Sequence, residues 1–144
     1  MSLLEPYSSN DVKRSKRRDL LSKIIKSESG IKKVILVERT GLTIASVSKF
    51  SYVPIDVDKT GAIASEVFCA CEEQGKKLEL GDLELVMSEF TGGKIFASSC
   101  GPKRVLILIS GPDINISLIN LKLKRLGDEL KEFFDELLSD IPET

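Results

Sequence analysis

Two stretches constrain this chain more than any others: Val34-Ile35-Leu36-Val37 and Val105-Leu106-Ile107-Leu108-Ile109, both apolar without alternation. A strand with one wet face alternates with a period of two, so a continuous apolar run reads as a strand covered on both faces. The chain therefore calls for a sheet with helices above and below it, and these two runs belong side by side at its centre. Both are far shorter than the roughly 18–20 residues a membrane helix needs. With 144 residues, 42% of them hydrophobic, one core is affordable, and a single domain is expected over 10–140, between a mobile leader at 1–9 and a tail at 141–144.

Each central run has hairpin neighbours. Leu42-Thr43-Ile44-Ala45-Ser46-Val47 follows the first across Glu38-Arg39-Thr40-Gly41, whose glycine can supply the positive φ of a tight turn. Its mixed composition suits an edge. Lys94-Ile95-Phe96-Ala97-Ser98-Ser99-Cys100 precedes the second run across Gly101-Pro102-Lys103, and residues 83–90 precede that strand across Thr91-Gly92-Gly93. Joining the hairpins at the two continuous runs gives a five-stranded antiparallel sheet ordered 2-1-5-4-3. Residues 83–90 then form an outer edge. That strand has no Lys or Pro to discourage pairing, only Glu84 and Glu89, and an edge of this kind accepts another strand.

Three helices complete an α-β-β-α-β-β-β-α layout, a helix–sheet–helix sandwich of the α/β (α+β) class. The first runs from a cap at Asn10 or Asp11 to Glu28, with Val12, Leu20, Leu21, Ile24 and Ile25 as its apolar stripe and Ser29-Gly30 as its stop. The loop 48–55, broken by Pro54, leads to the second, capped by Asp56 or Asp58 and closed by Gly75. At about 100° per residue, Val57, Thr60, Gly61, Ala64, Val67, Phe68 and Cys71 face the sheet. Asp58, Ala62, Ser65, Glu66, Cys69 and Glu73 face away, with Ile63 and Ala70 on a flank. The third starts at Asp113 or Asn115 and docks through Ile116, Ile119, Leu123, Leu126, Leu130, Phe133 and Leu137, leaving Leu118, Leu121, Phe134 and Leu138 beside the first helix.

The chemistry of the side chains argues for binding over catalysis. There is no histidine, the commonest general base and metal ligand, and Cys69-Ala70-Cys71 lacks the second ligand pair of a zinc site. Gly92-Gly93 is a hairpin turn, with no phosphate-loop pattern around it. No catalytic, cofactor or metal residue is assigned, and an enzyme is not expected. Cys100 and Ser110 have only their residue type in their favour. Three cysteines without framework spacing point to buried thiols in a reducing cytoplasm. Charge is balanced overall, 21 basic against 22 acidic residues, so nucleic acid is not an expected partner. Residues 1–33 are the exception, with nine Lys/Arg against four Asp/Glu. Lys13, Arg14, Lys16, Arg17, Arg18, Lys23 and Lys26 form either a solvated face or a docking surface for an acidic partner or a weak contact with an anionic membrane.

The element order, together with Gly30-Ile31-Lys32-Lys33-Val34-Ile35-Leu36-Val37 and Gly41-Leu42-Thr43-Ile44-Ala45, resembles the Roadblock/dynein-light-chain family. So do Gly61-Ala62-Ile63-Ala64, Leu80-Gly81-Asp82-Leu83-Glu84 and Ile114-Asn115-Ile116-Ser117-Leu118. The resemblance implies a dimer, with itself or a paralogue, in which third strands pair across a two-fold axis and middle helices lie side by side. It implies a module that binds and regulates or scaffolds a Ras-like small GTPase without donating a catalytic residue. Carried onto this chain, the seam would be Leu83, Leu85, Val86, Met87, Ser88 and Phe90 with Ile63 and Ala70. The partner platform would be Asp58, Lys59, Ala62, Ser65, Glu66, Cys69 and Glu73. The alternative is a small-molecule sensor of a related helix–sheet–helix fold, which would need a cavity between sheet and helix.

Overall fold

A computed structural model describes residues 9–49 and 56–139, with side chains over 15–49 and 56–132. The leader 1–8, the tail and the Pro54 loop lie outside the described residues, as do the side chains of Val12, Lys13, Arg14, Phe133, Phe134, Leu137 and Leu138. The elements are α1 (Ser9–Ser27), β1 (Ile31–Glu38), β2 (Thr43–Ser48), α2 (Val57–Lys77), β3 (Leu85–Phe90), β4 (Gly93–Ser99), β5 (Arg104–Ser110) and α3 (Ile116–Ser139). Ser9, expected in the leader, is already helical.

The five strands form one antiparallel sheet ordered β2-β1-β5-β4-β3. The two continuous apolar runs are its centre, Val34 opposite Leu108 and Leu36 opposite Leu106. Successive side chains point to opposite faces, so each run feeds two cores. Val34, Leu36, Leu106, Leu108 and Phe96 meet Leu21, Ile24 and Ile25 of α1 and Ile119, Leu123, Leu126 and Leu130 of α3. Ile35, Val37, Ala97, Val105 and Ile107 meet Phe68 of α2 on the other face. Phe68 and Phe96 are each fully buried, which at about 1.5–3 kcal/mol per large apolar side chain makes them principal anchors of their layers.

The connections follow local chemistry. Gly41 turns the first hairpin with φ +98°, a conformation that suits glycine. Gly93 opens β4 where any Cβ would run into the Ser110 carbonyl oxygen, so the approach of β4 to β5 requires glycine there. Asp56 caps α2, its carboxylate accepting from the Lys59 amide at 3.0 Å, and Asn115 caps α3 by accepting from the Leu118 amide at 3.1 Å. The end of α2 differs from expectation. Gly75 stays helical, and the chain turns two residues past Lys77 at Glu79, whose φ is +56°. There the Leu80 amide donates to the Gly75 carbonyl and the Glu79 amide to the Lys76 carbonyl, a Schellman closure with glutamate in the position glycine usually takes.

Candidate interaction surface

The site is built on the face of the sheet that α2 covers only in part. The helix packs mainly over β1, β2 and β5. Gly61 is what lets it sit down: a Cβ there would lie 3.1 Å from Thr43 Oγ1 and 3.2 Å from Val37 Cγ1. Close packing on the sheet, not a partner helix, explains this glycine.

The roll of α2 about its axis departs from the simple apolar stripe. Val67, expected against the sheet, is 44% exposed, whereas Ser65, expected in the partner platform, is fully buried. Ser65 Oγ donates toward the carbonyls of Glu38 and Arg39 at 3.2 and 3.0 Å, and the Cys69 thiol approaches the Arg39 carbonyl at 3.7 Å. The Glu38 carbonyl also accepts from the Gly41 amide at 2.8 Å, so Ser65 adds a second donor there and serves the Arg39 carbonyl, contacts that go with this roll of the helix. One turn further on, Arg39 Nε and Nη2 donate to the two carboxylate oxygens of Glu72 at 2.9 and 3.0 Å. Arg39 Nη1 reaches the carbonyls of Gly101 and Arg104, Nη2 reaches Ser99 Oγ, and the guanidinium lies 5.5 Å from the Phe68 ring centre. One arginine thus fastens α2 to both loops at that end of the sheet.

With that roll, α2 presents Ile63 (53% exposed), Val67 and Ala70 to solvent, flanked by exposed Asp58, Lys59, Glu66 and Glu73. Ala62 and Cys69 are half-buried and Ser65 is withdrawn, so the expected platform is smaller by Ser65. On β3, Val86 pairs with Ala97 of the α2-side core, which places Val86, Ser88 and Phe90 on the same face as α2. Leu85, Met87 and Glu89 point the other way. Phe90 is 57% and Met87 38% exposed, while Leu83, Leu85, Val86 and Ser88 are half-buried. β3 is the sheet's last strand, carrying neither Lys nor Pro, and its first paired residue is Leu85, two residues later than expected. Leu78 and Leu80, just before it, are also exposed.

The residues with nucleophilic chemistry are turned inward. Cys100 is buried, and burial pushes its thiol up to about 12 against the opposing pull of Arg104 and Arg39. At neutral pH it is a protonated packing residue. Ser110 is buried as well, its hydroxyl donating to the Gly111 carbonyl at 3.0 Å. Cys69 and Cys71 are half-buried, less enclosed than expected. No helix among the described residues is long and apolar enough to cross a membrane.

The class the fold defines is a five-stranded antiparallel sheet between one helix and a helix pair, with Phe90 exposed on the β3 edge. Residues 18–110 match the Roadblock/LC7 domain, and the chain belongs to that family. An uncharacterized protein of Methanocaldococcus jannaschii, MJ0310, is 33% identical over 105 residues, 73% of this chain and 89% of that one. Among solved structures, MglB in a tetrameric arrangement superposes with a TM-score of 0.80 at 14% identity, covering 91% of this chain and 94% of that one. Myxococcus xanthus MglB gives 0.76 at 20% identity over 92% and 99%. At these identities the structural likeness establishes the fold.

Proposed function

We propose that this chain is a non-enzymatic dimeric module that binds a Ras-like small GTPase and regulates or scaffolds it in the cytoplasm. The observation that carries the reading is the unprotected β3 edge flanked by exposed Phe90 and Met87, with Ile63, Val67 and Ala70 exposed on the helix of the same layer. Pairing β3 with its copy across a two-fold axis continues the sheet to ten strands. It also brings the two α2 helices together on one face and takes Phe90 out of water. Val67 joins the proposed seam of Leu83, Leu85, Val86, Met87, Ser88, Phe90, Ile63 and Ala70. Self-association is supported by the tetrameric arrangement of the MglB structure.

The GTPase would dock on Asp58, Lys59, Ala62, Glu66, Cys69 and Glu73, the rim left around the apolar centre of α2. Regulation on such a surface works by holding the partner's own groups in place, as the family resemblance implies. The sensor alternative is not favoured, because fully buried Phe68 and Phe96 occupy the layers where a ligand would sit. Light scattering at micromolar concentration should give a dimer. A pull-down with the host's small GTPases loaded with GDP or a non-hydrolysable GTP analogue should retain one of them, with nucleotide preference marking a regulator. A monomer, or no GTPase retained in either state, sinks the reading.

A further inference from the structure

A polar cleft of about 720 Å³ opens where β4 ends, bounded by α3, the loop that enters β3 and the β4–β5 turn. Its size falls among small-molecule sites, roughly 300–1,000 Å³, and neither Phe68 nor Phe96 lines it. Ser98 gives the cleft a fixed point. It lines the cleft yet is 7% exposed, and its hydroxyl meets no hydrogen-bond partner among the described residues. A hydroxyl so enclosed is ordinarily paired, so this one is an open donor and acceptor. Ser99 beside it is already spent, its Oγ accepting from Arg39 Nη2 at 3.2 Å and donating to the Gly101 carbonyl at 3.4 Å. The charges along the rim balance. α3 supplies Lys124, Lys131 and Asp128, the loop supplies Asp82 and Glu84, and α2 supplies Lys76, all of them exposed. Arg39 and Glu72, which also line the cleft, are paired with each other.

We propose that this cleft binds a small zwitterion of amino-acid or dipeptide size. Three rim cations against three rim anions leave no net field to favour a phosphate, a nucleotide or a bare cation. No group of three carboxylate or thiol side chains among the described residues is placed to hold a metal ion. A ligand carrying both signs is different, because each of its ends finds a partner. Lys124 and Lys131 of α3 suit a carboxylate, Asp82 and Glu84 of the loop suit an ammonium, and deeper in the cleft Ser98 suits a polar group. The pair already present is loose: Lys124 Nζ and Glu84 Oε2 are 3.8 Å apart on side chains 70% and 76% exposed, and such pairs contribute little. Opening it therefore costs little, and the ligand replaces it with two charge-assisted contacts. Every lining residue belongs to one chain, so the site is complete without the dimer and apart from the GTPase platform.

The test is a nuclear magnetic resonance titration of the full, isotope-labelled chain with glycyl-serine. Two capped peptides are the controls: N-acetyl-glycyl-serine, which lacks the ammonium, and glycyl-serinamide, which lacks the carboxylate. Glycyl-serine should give saturable shifts at the Ser98, Ser99 and Gly127 amides at millimolar concentration. Each capped peptide should bind at least about tenfold more weakly, having lost one charge-assisted contact. Ser98→Ala should weaken glycyl-serine several-fold while keeping the far-ultraviolet circular dichroism of the parent. The exposed pair Lys124→Gln with Lys131→Gln should bind glycyl-serine and glycyl-serinamide alike, because the carboxylate has lost its partners. Absence of saturable shifts at these amides overturns the proposal, as does equal binding of all three peptides by the parent. A lysine variant that still prefers glycyl-serine to its amide overturns it too, since the carboxylate is then held elsewhere. Light scattering on the same samples separates this result from the dimer reading, because a monomeric parent that still shows the shifts removes the dimer and leaves the cleft standing.

Discussion

At the scale of the residue, Arg39 and Cys100 carry the sharpest consequences. The Arg39 and Glu72 side chains are 19% and 23% exposed, and the guanidinium spends its donors on a carboxylate, two carbonyls and a hydroxyl. Arg39→Ala should therefore lower unfolding free energy by about 2–4 kcal/mol, read as a shift in urea midpoint. Arg39→Lys should recover little, since an ammonium cannot span the two carboxylate oxygens as a fork does. Cys100 makes a prediction about alkali. Its folded-state pKa, about 12, lies above the ordinary 9.0, so its contribution to stability is fully present below about pH 9 and is lost as pH rises toward 12. Between those limits the parent should lose stability more steeply than Cys100→Ala, by up to about 1.4 kcal/mol per pH unit, measured by urea unfolding of both proteins across that range. Burial of Lys33 pulls its pKa the other way, and comparing the two proteins cancels that effect.

At the scale of the element, β3 and α2 separate what was legible in the chain from what was not. The continuous apolar runs of β1 and β5 announce their central places because only a doubly covered strand tolerates them, and the hairpin turns at Gly41 and Gly93 then dictate the strand order. The roll of α2 was not legible. Val67 and Ser65 exchange their expected sides as carbonyls at the end of β1 take the serine hydroxyl, and Arg39 draws in Glu72 from 33 residues away. Neither bond leaves a trace in helical periodicity. The end of α2 misled for a related reason, glutamate holding the left-handed position while Gly75 stays inside the helix. For the dimer, Ser88→Lys is a cleaner edge test than any change at Val86, which also packs against the α2-side core. Ser88→Lys should give monomer by light scattering, and exposed Val67→Asp should weaken the dimer while changing protomer stability by no more than about 0.5 kcal/mol. Unchanged assembly in both would place the seam elsewhere.

At the scale of the whole molecule, association and stability are linked. A dimer that buries Phe90, Ile63 and Val67 binds folded chains and not unfolded ones, so the thermal midpoint should rise with protein concentration in a dilution series followed by circular dichroism. The Ser88→Lys protein should show no such rise. The β1–β5 seam also sets how the chain can assemble in time. Ile31 faces Ser110 and Val37 faces Val105, in the strand pair of longest sequence separation among the described residues, whereas β1–β2, β3–β4 and β4–β5 join across short turns. Local hairpins can form within microseconds, but closing the intervening chain carries an entropic cost that no contact repays until the central strands meet. Until that closure, Val34-Ile35-Leu36-Val37 and Val105-Leu106-Ile107-Leu108-Ile109 each keep one unpaired edge, an apolar template for another strand. The contact that completes the sheet is thus also the one whose delay would favour aggregation over folding.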